Sequence, residues 1–105
     1  MTDDHFERQF AALRDRFRVR LVDYKELLVD AQNLYVSSRD NEVVRRVKRI
    51  AHELAGASGT FGFPDLGELA ADLEAAADSV LQGRKERNAV APPLRQLLRE
   101  LELTL

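Results

Sequence analysis

The chain is predicted to be all-α: an antiparallel four-helix bundle with an additional N-terminal helical segment. Three observations lead there. Four stretches carry apolar residues at three- and four-residue steps, and no stretch alternates with the period of two that a half-buried strand needs. The five glycines and three prolines all fall after residue 55 and punctuate the chain at intervals suited to short helix connections. With 45% apolar and 32% charged residues over 105 positions, the chain can build one core, and residues 1–105 read as a single domain.

The first helical stretch covers residues 3–35. Thr2 or Asp3 can cap it, and Phe6, Phe10, Leu13, Phe17, Leu21, Tyr24, Leu27, Leu28, Ala31 and Leu34 form its apolar stripe. The stripe drifts in phase near residues 18–21, which predicts a break or kink there. The phenylalanines Phe6, Phe10, Phe17 and Phe61 are expected in the core or between helices. Arg14, Arg16, Arg18 and Arg20 alternate, which spreads them around a helix as solvated charge. Residues 37–41 form a turn, and Asp40 is placed to cap a second helix. That helix carries Val44, Val47, Ile50, Ala51, Leu54, Ser58 and Phe61 on one face and ends near Gly62. Pro64 suits the first turn of a third helix, whose stripe of Leu66, Leu69, Leu73, Ala76, Ala77, Val80 and Leu81 stops at Gly83. Residues 84–88 read as a polar linker. Pro92 and Pro93 should open the last helix, with Leu94, Leu97, Leu98 and Leu101 facing inward.

Composition also excludes. Without cysteine there are no disulfides or thiolate metal sites, which fits a reducing compartment. An acidic start and the lack of a long apolar run predict no signal peptide and no membrane span, hence a cytoplasmic protein. A net charge of −2 argues against nucleic acid as partner. His5 lies among Asp3, Asp4 and Glu7, but the only other histidine is far away in sequence, so no metal site is expected.

That other histidine, His52, is the candidate for chemistry. At 100° per residue it falls roughly 140° from the centre of the apolar stripe of its helix, on the face turned to water. Residues 39–62 hold five cations (Arg39, Arg45, Arg46, Lys48, Arg49) against three acids, whereas residues 63–105 hold eight acids against five cations. Arg45, Lys48 and Arg49 precede His52 by seven, four and three residues, the spacing of neighbours on a helix surface. Such side chains hold phosphoryl oxygens through charge-assisted hydrogen bonds. Gly56 and Gly59 follow on the same face, each at roughly 1 kcal/mol less favourable than alanine in a helix. A missing side chain one turn after His52 leaves the imidazole uncovered.

The run Ala51-His52-Glu53-Leu54-Ala55-Gly56-Ala57-Ser58, followed by Gly62, Leu66, Leu73 and Glu74, resembles the signature of histidine-containing phosphotransfer (HPt) domains. Leu54, Gly56, Ser58, Gly62, Leu66 and the Leu73-Glu74 pair stand at the family's spacings over 23 residues. The resemblance implies a phosphocarrier of a two-component phosphorelay, with His52 the phosphoacceptor that becomes phosphohistidine and Glu74 orienting its imidazole. It implies no autokinase or ATP-binding activity and no cofactor, with Mg²⁺ belonging to the partner receiver domain. The implied partners are response-regulator receiver domains and a sensor or hybrid histidine kinase; a bundle of this size is itself expected to be a monomer. Arg45, Lys48, Arg49, Ala55, Gly56 and Gly59 would form the phosphoryl- and partner-binding face, with Ala51 and Phe63 on its apolar rim. One position departs from the pattern. Ala55 stands where the family commonly has lysine, so Arg49 or Lys48 is left to substitute. The same departure favours a second reading, a non-transferring helical adaptor that binds receiver or kinase domains.

Overall fold

The computed structural model describes residues 3–105, and it is an all-α bundle of four antiparallel helices. Helix α1 covers Asp3–Ser37, α2 Asn41–Thr60, α3 Pro64–Leu81 and α4 Ala91–Thr104, and a short 3₁₀ turn, Arg87–Val90, leads into α4. The cap expected at Thr2 or Asp3 falls outside the described side chains. Each later boundary has a local cause. The Asp40 carboxylate accepts a hydrogen bond from the Glu42 amide at 2.9 Å, satisfying one of the amides that the first turn of α2 leaves open. Gly62 turns the α2–α3 connection with φ +84°, left-handed backbone that an L side chain resists. Pro64 then occupies the first turn of α3, where its missing N–H costs nothing. Pro92 and Pro93 sit in the first turn of α4 for the same reason.

Helices α2 and α3 pack most closely, α1 lies against α2 and α4, and α3 lies against α2 and α4. One cluster of buried side chains runs through all four: Phe17, Leu21 and Leu28 of α1, Val47 and Leu54 of α2, Leu66 and Leu73 of α3, and Leu94, Leu97 and Leu101 of α4. Burying each such side chain contributes roughly 1.5–3 kcal/mol, so this shared core is what holds the helices together. At one end of the bundle Phe17 stacks on Phe61 with ring centroids 4.9 Å apart and meets Phe63 at 5.8 Å, closing the core beneath the α2–α3 turn. No helix among the described residues is long and apolar enough to cross a membrane.

Helix α1 differs from expectation in three ways. It continues unbroken through residues 18–21: Phe17, Leu21 and Tyr24 are all buried, so the helix keeps its core contacts through the drift and no glycine or proline interrupts it. Phe6 is exposed, and Phe10 is only half-buried, because α1 outruns the other helices and nothing packs on its first turns. The arginines are not simply solvated. Arg18 donates to the Thr104 carbonyl at 3.2 Å and lies 5.1 Å from the Phe63 ring, while Arg20 donates to the Tyr24 hydroxyl at 3.0 Å.

The polar linker also holds a structural contact. Arg87 donates to the Tyr35 carbonyl at 2.9 Å and to the Ser38 carbonyl, capping the C-terminal end of α1 with a cation. Its guanidinium lies 4.1 Å from the Tyr35 ring, and the Tyr35 hydroxyl donates back to the Arg87 carbonyl at 2.5 Å. Arg87→Ala is therefore expected to lower stability by about 1–3 kcal/mol in urea denaturation, and Tyr35→Phe by about 0.5–1.5 kcal/mol. Equal midpoints for Arg87→Ala and the native chain would show the contact to be idle.

Candidate functional site

Helices α2 and α3 carry the site between them. Because they run antiparallel, residues pair across the groove in fixed register. The four-residue step from His52 back to Lys48 is matched by the four-residue step from Glu74 to Asp78. The seven-residue step from His52 on to Gly59 is matched by seven from Glu74 back to Gly67. The contacts follow that ladder: His52 Nδ1 lies 2.8 Å from Glu74 Oε2, and Lys48 Nζ lies 2.8 Å from Asp78 Oδ1. At Gly67 the helices approach closely enough that an added Cβ would lie 3.5 Å from the Ala55 carbonyl oxygen and 3.6 Å from the Gly59 nitrogen. A small residue there lets the ladder close.

The His52 side chain is 74% exposed while Glu74 is 29% exposed, so the ring stands out from a carboxylate that is itself mostly covered. A carboxylate only accepts, so in the neutral ring the shared hydrogen belongs to Nδ1, and Nε2 keeps its lone pair. Arg45, Lys48, Arg49, His52 and Glu74 line one shallow depression. The three cations are not equivalent. Arg45 Nε pairs with Glu42 at 3.1 Å, and Lys48 is held by Asp78. Arg49 has no ion pair among the described residues and is exposed. It also falls on the flank of α2 turned away from α3, the flank it shares with Gly56.

Around this depression, Gly56 and Gly59 are exposed, and a Cβ at either would meet nothing within 4 Å. Ala55 is half-buried against the core, on the flank of α2 that faces α3. Ala51 is fully buried and cannot belong to an apolar rim, since it lies on the stripe that seats α2 in the core. Phe63 is half-buried at the bundle end, tilted against Phe17 with the Arg18 guanidinium over it. Two residues that the sequence reading passed over complete the picture. Asp78 holds Lys48 and also accepts from Gln82 at 2.8 Å, and Gly67 lies where the two helices approach closely enough to exclude a large side chain. Both were within reach of the antiparallel register, once His52 and Glu74 are placed opposite each other.

The hydrogen bond and the positive charge from Lys48, chiefly the former, hold the Asp78 carboxyl below its usual value of 3.8. Its folded value is the depressed one, so whatever the pair contributes is present above pH 3.8 and lost as pH falls through that lower value. NMR titration should find Asp78 below 3.8, moving up towards it in Lys48→Ala. An unmoved titration would exclude the pair. Gly67→Ala should be accommodated, gaining up to about 1 kcal/mol of helix propensity. Gly67→Leu should overpack the groove, cost about 1–3 kcal/mol and part His52 from Glu74. Chemical denaturation and the His52 ring shifts would report both.

A family model described as Hpt domain matches residues 11–104. No curated protein and no solved structure matches the chain. The matched region covers all but the first turns of α1 and contains every residue of the ladder between α2 and α3. The chain therefore belongs to the Hpt domain family, the histidine phosphotransfer domains of phosphorelays.

Proposed function

We propose that this chain is a phosphorelay carrier in which His52 Nε2 takes a phosphoryl group from the phospho-aspartate of one receiver domain and gives it to the aspartate of another. The observation that carries this reading is the exposed ring whose Nδ1 edge is engaged by Glu74 at 2.8 Å. With Nδ1 donating to a carboxylate, the ring meets an incoming phosphorus with the Nε2 lone pair. The N–P bond forms as the P–O bond to the aspartate breaks, and the carboxylate leaves with that electron pair. No proton needs to move. The positive charge that develops on the ring is delocalised onto the Nδ1–H, where Glu74 stabilises it. The reverse step returns the group to an aspartate by the same path.

Charge supports the same reading. The transferring group spreads negative charge over three oxygens, and catalysis of such a step consists of positioning and electrostatic stabilisation. Arg49 is the cation left unengaged beside the ring, and so it takes the role of the lysine that the family commonly has where Ala55 stands here. Arg45 and Lys48, already paired, add a weaker background. Gly56 and Gly59 leave the helix surface bare on the receiver's approach, with Ala55 at its edge. The partners are receiver domains, and a sensor or hybrid histidine kinase stands upstream of them. The absent lysine favours one rival reading, an adaptor that docks a receiver without accepting phosphate.

Incubation with a phosphorylated receiver should leave acid-labile, base-stable phosphate on the native chain and none on His52→Gln. Arg49→Ala should slow transfer by about tenfold to a hundredfold, and Lys48→Ala by less. A chain that binds receivers but never gains phosphate is the adaptor. Transfer that persists in His52→Gln would remove His52 from the reaction.

A further inference from the structure

The first third of α1 has no role in the site, and it reaches the bundle through Arg14, whose guanidinium lies 6.0 Å from the Phe63 ring. At 1.5 Å per residue, α1 is about 52 Å long and α2 about 30 Å, and the molecule measures 55 Å along its longest axis and 22 Å across. The first buried residue of α1 is Phe17 and Arg14 still reaches Phe63 of the α2–α3 turn, so the turns before Arg14 project beyond the other helices. This segment still carries an apolar seam. Phe6 is 68% and Leu13 45% exposed, Phe10 lies between them, and the Phe6 and Phe10 rings stack with centroids 6.4 Å apart. The steps from Phe6 to Phe10, Leu13 and Phe17 are four, three and four, the spacing of a coiled-coil seam. A helix of this length is marginal in water on its own, so a covered seam is the stable arrangement.

The flanks of the seam point to what covers it. At 100° per residue Glu7 and Arg14 lie on one side of the seam, and Gln9 and Arg16 on the other. When two identical helices pack antiparallel, flanks of the same side face each other. Phe10 then packs on Leu13 of a second copy, and Glu7 faces that copy's Arg14, twice by symmetry. The second copy's Phe6 reaches the level of Phe17, where half-buried Phe61 and Phe63 continue the apolar surface. Parallel pairing would set Gln9 beside Arg14 and match no opposite charges. A lipid surface fits poorly, because residues 4–16 hold three acids (Asp4, Glu7, Asp15) and three arginines (Arg8, Arg14, Arg16), with no excess of positive charge to meet anionic headgroups.

We propose that residues 4–16 form an antiparallel, two-fold contact with the same segment of a second copy of this chain. The bundle bodies lie at opposite ends of that contact. None of the residues around His52 takes part, so the contact stands independently of phosphotransfer and replaces the monomer expected from the bundle alone.

Sedimentation velocity of the full chain over a concentration series tests this. The native chain should dimerise. Phe10→Glu should weaken the dimer at least about tenfold while leaving the thermal melt of the bundle in place, since Phe10 lies outside the core. Glu7→Arg and Arg14→Glu should each be monomeric at concentrations where the native chain is a dimer. Mixed in equal amounts they should dimerise again, because one variant then carries arginine and the other glutamate at both positions, and each of the two contacts sets a cation against an acid. A native chain that stays monomeric to millimolar concentration overturns the proposal. So does a dimer indifferent to Phe10→Glu, a mixture that fails to restore association, or binding to phosphatidylglycerol vesicles in place of self-association.

Discussion

The close seating of α3 on α2 governs which carboxylates meet His52 and Lys48. Where Gly67 meets the Ala55 carbonyl, the two helix backbones approach without an intervening side chain. That approach leaves no room for a large side chain between the helices. Given the register, Glu74 falls opposite His52 and Asp78 opposite Lys48, one helical turn apart. The core beneath, built from Val47, Ile50 and Leu54 against Leu66, Ala70 and Leu73, keeps the pair from sliding. A one-residue slip would carry each carboxylate about 100° around its helix and away from its partner.

The same ladder sorts the positive charges. Three cations stand together on one short stretch of α2, where like charges a turn apart repel by a few tenths of a kcal/mol. Glu42 and Asp78 relieve that repulsion for Arg45 and Lys48 at the two edges of the cluster. These are surface pairs, and such pairs contribute little to stability. What they do is geometric: they engage two of the three cations and leave Arg49 without an ion pair among the described residues.

Much of this was legible in the residues themselves. The Asp40 cap, the Gly62-Phe63-Pro64 turn and the stop at Gly83 mark α2 and α3 because each depends on local backbone chemistry. The opposition of His52 and Glu74 followed from family spacing, which encodes the register without showing its cause. Gly67 and Asp78 escaped notice because their significance depends on a neighbouring helix. The exposure of Phe6 was hidden for a different reason. An apolar stripe reports which face of a helix would be buried, and says nothing of how far the neighbouring helices extend. Arg18 and Arg87 looked like ordinary surface charge because the aromatic faces and carbonyls they contact lie 45 or more residues away in sequence. Ala51 could not serve both the core stripe and the rim, and the core claimed it.

The residues that line the depression around His52 all come from a single helical hairpin, α2 and α3, and α1 and α4 pack behind it. Such a division of labour frees the rear helices to vary. They can lengthen, acquire new surfaces or join other segments, provided they still present apolar side chains to the hairpin. The long α1 is one use of that latitude, adding reach to the molecule while the hairpin face keeps the same dimensions.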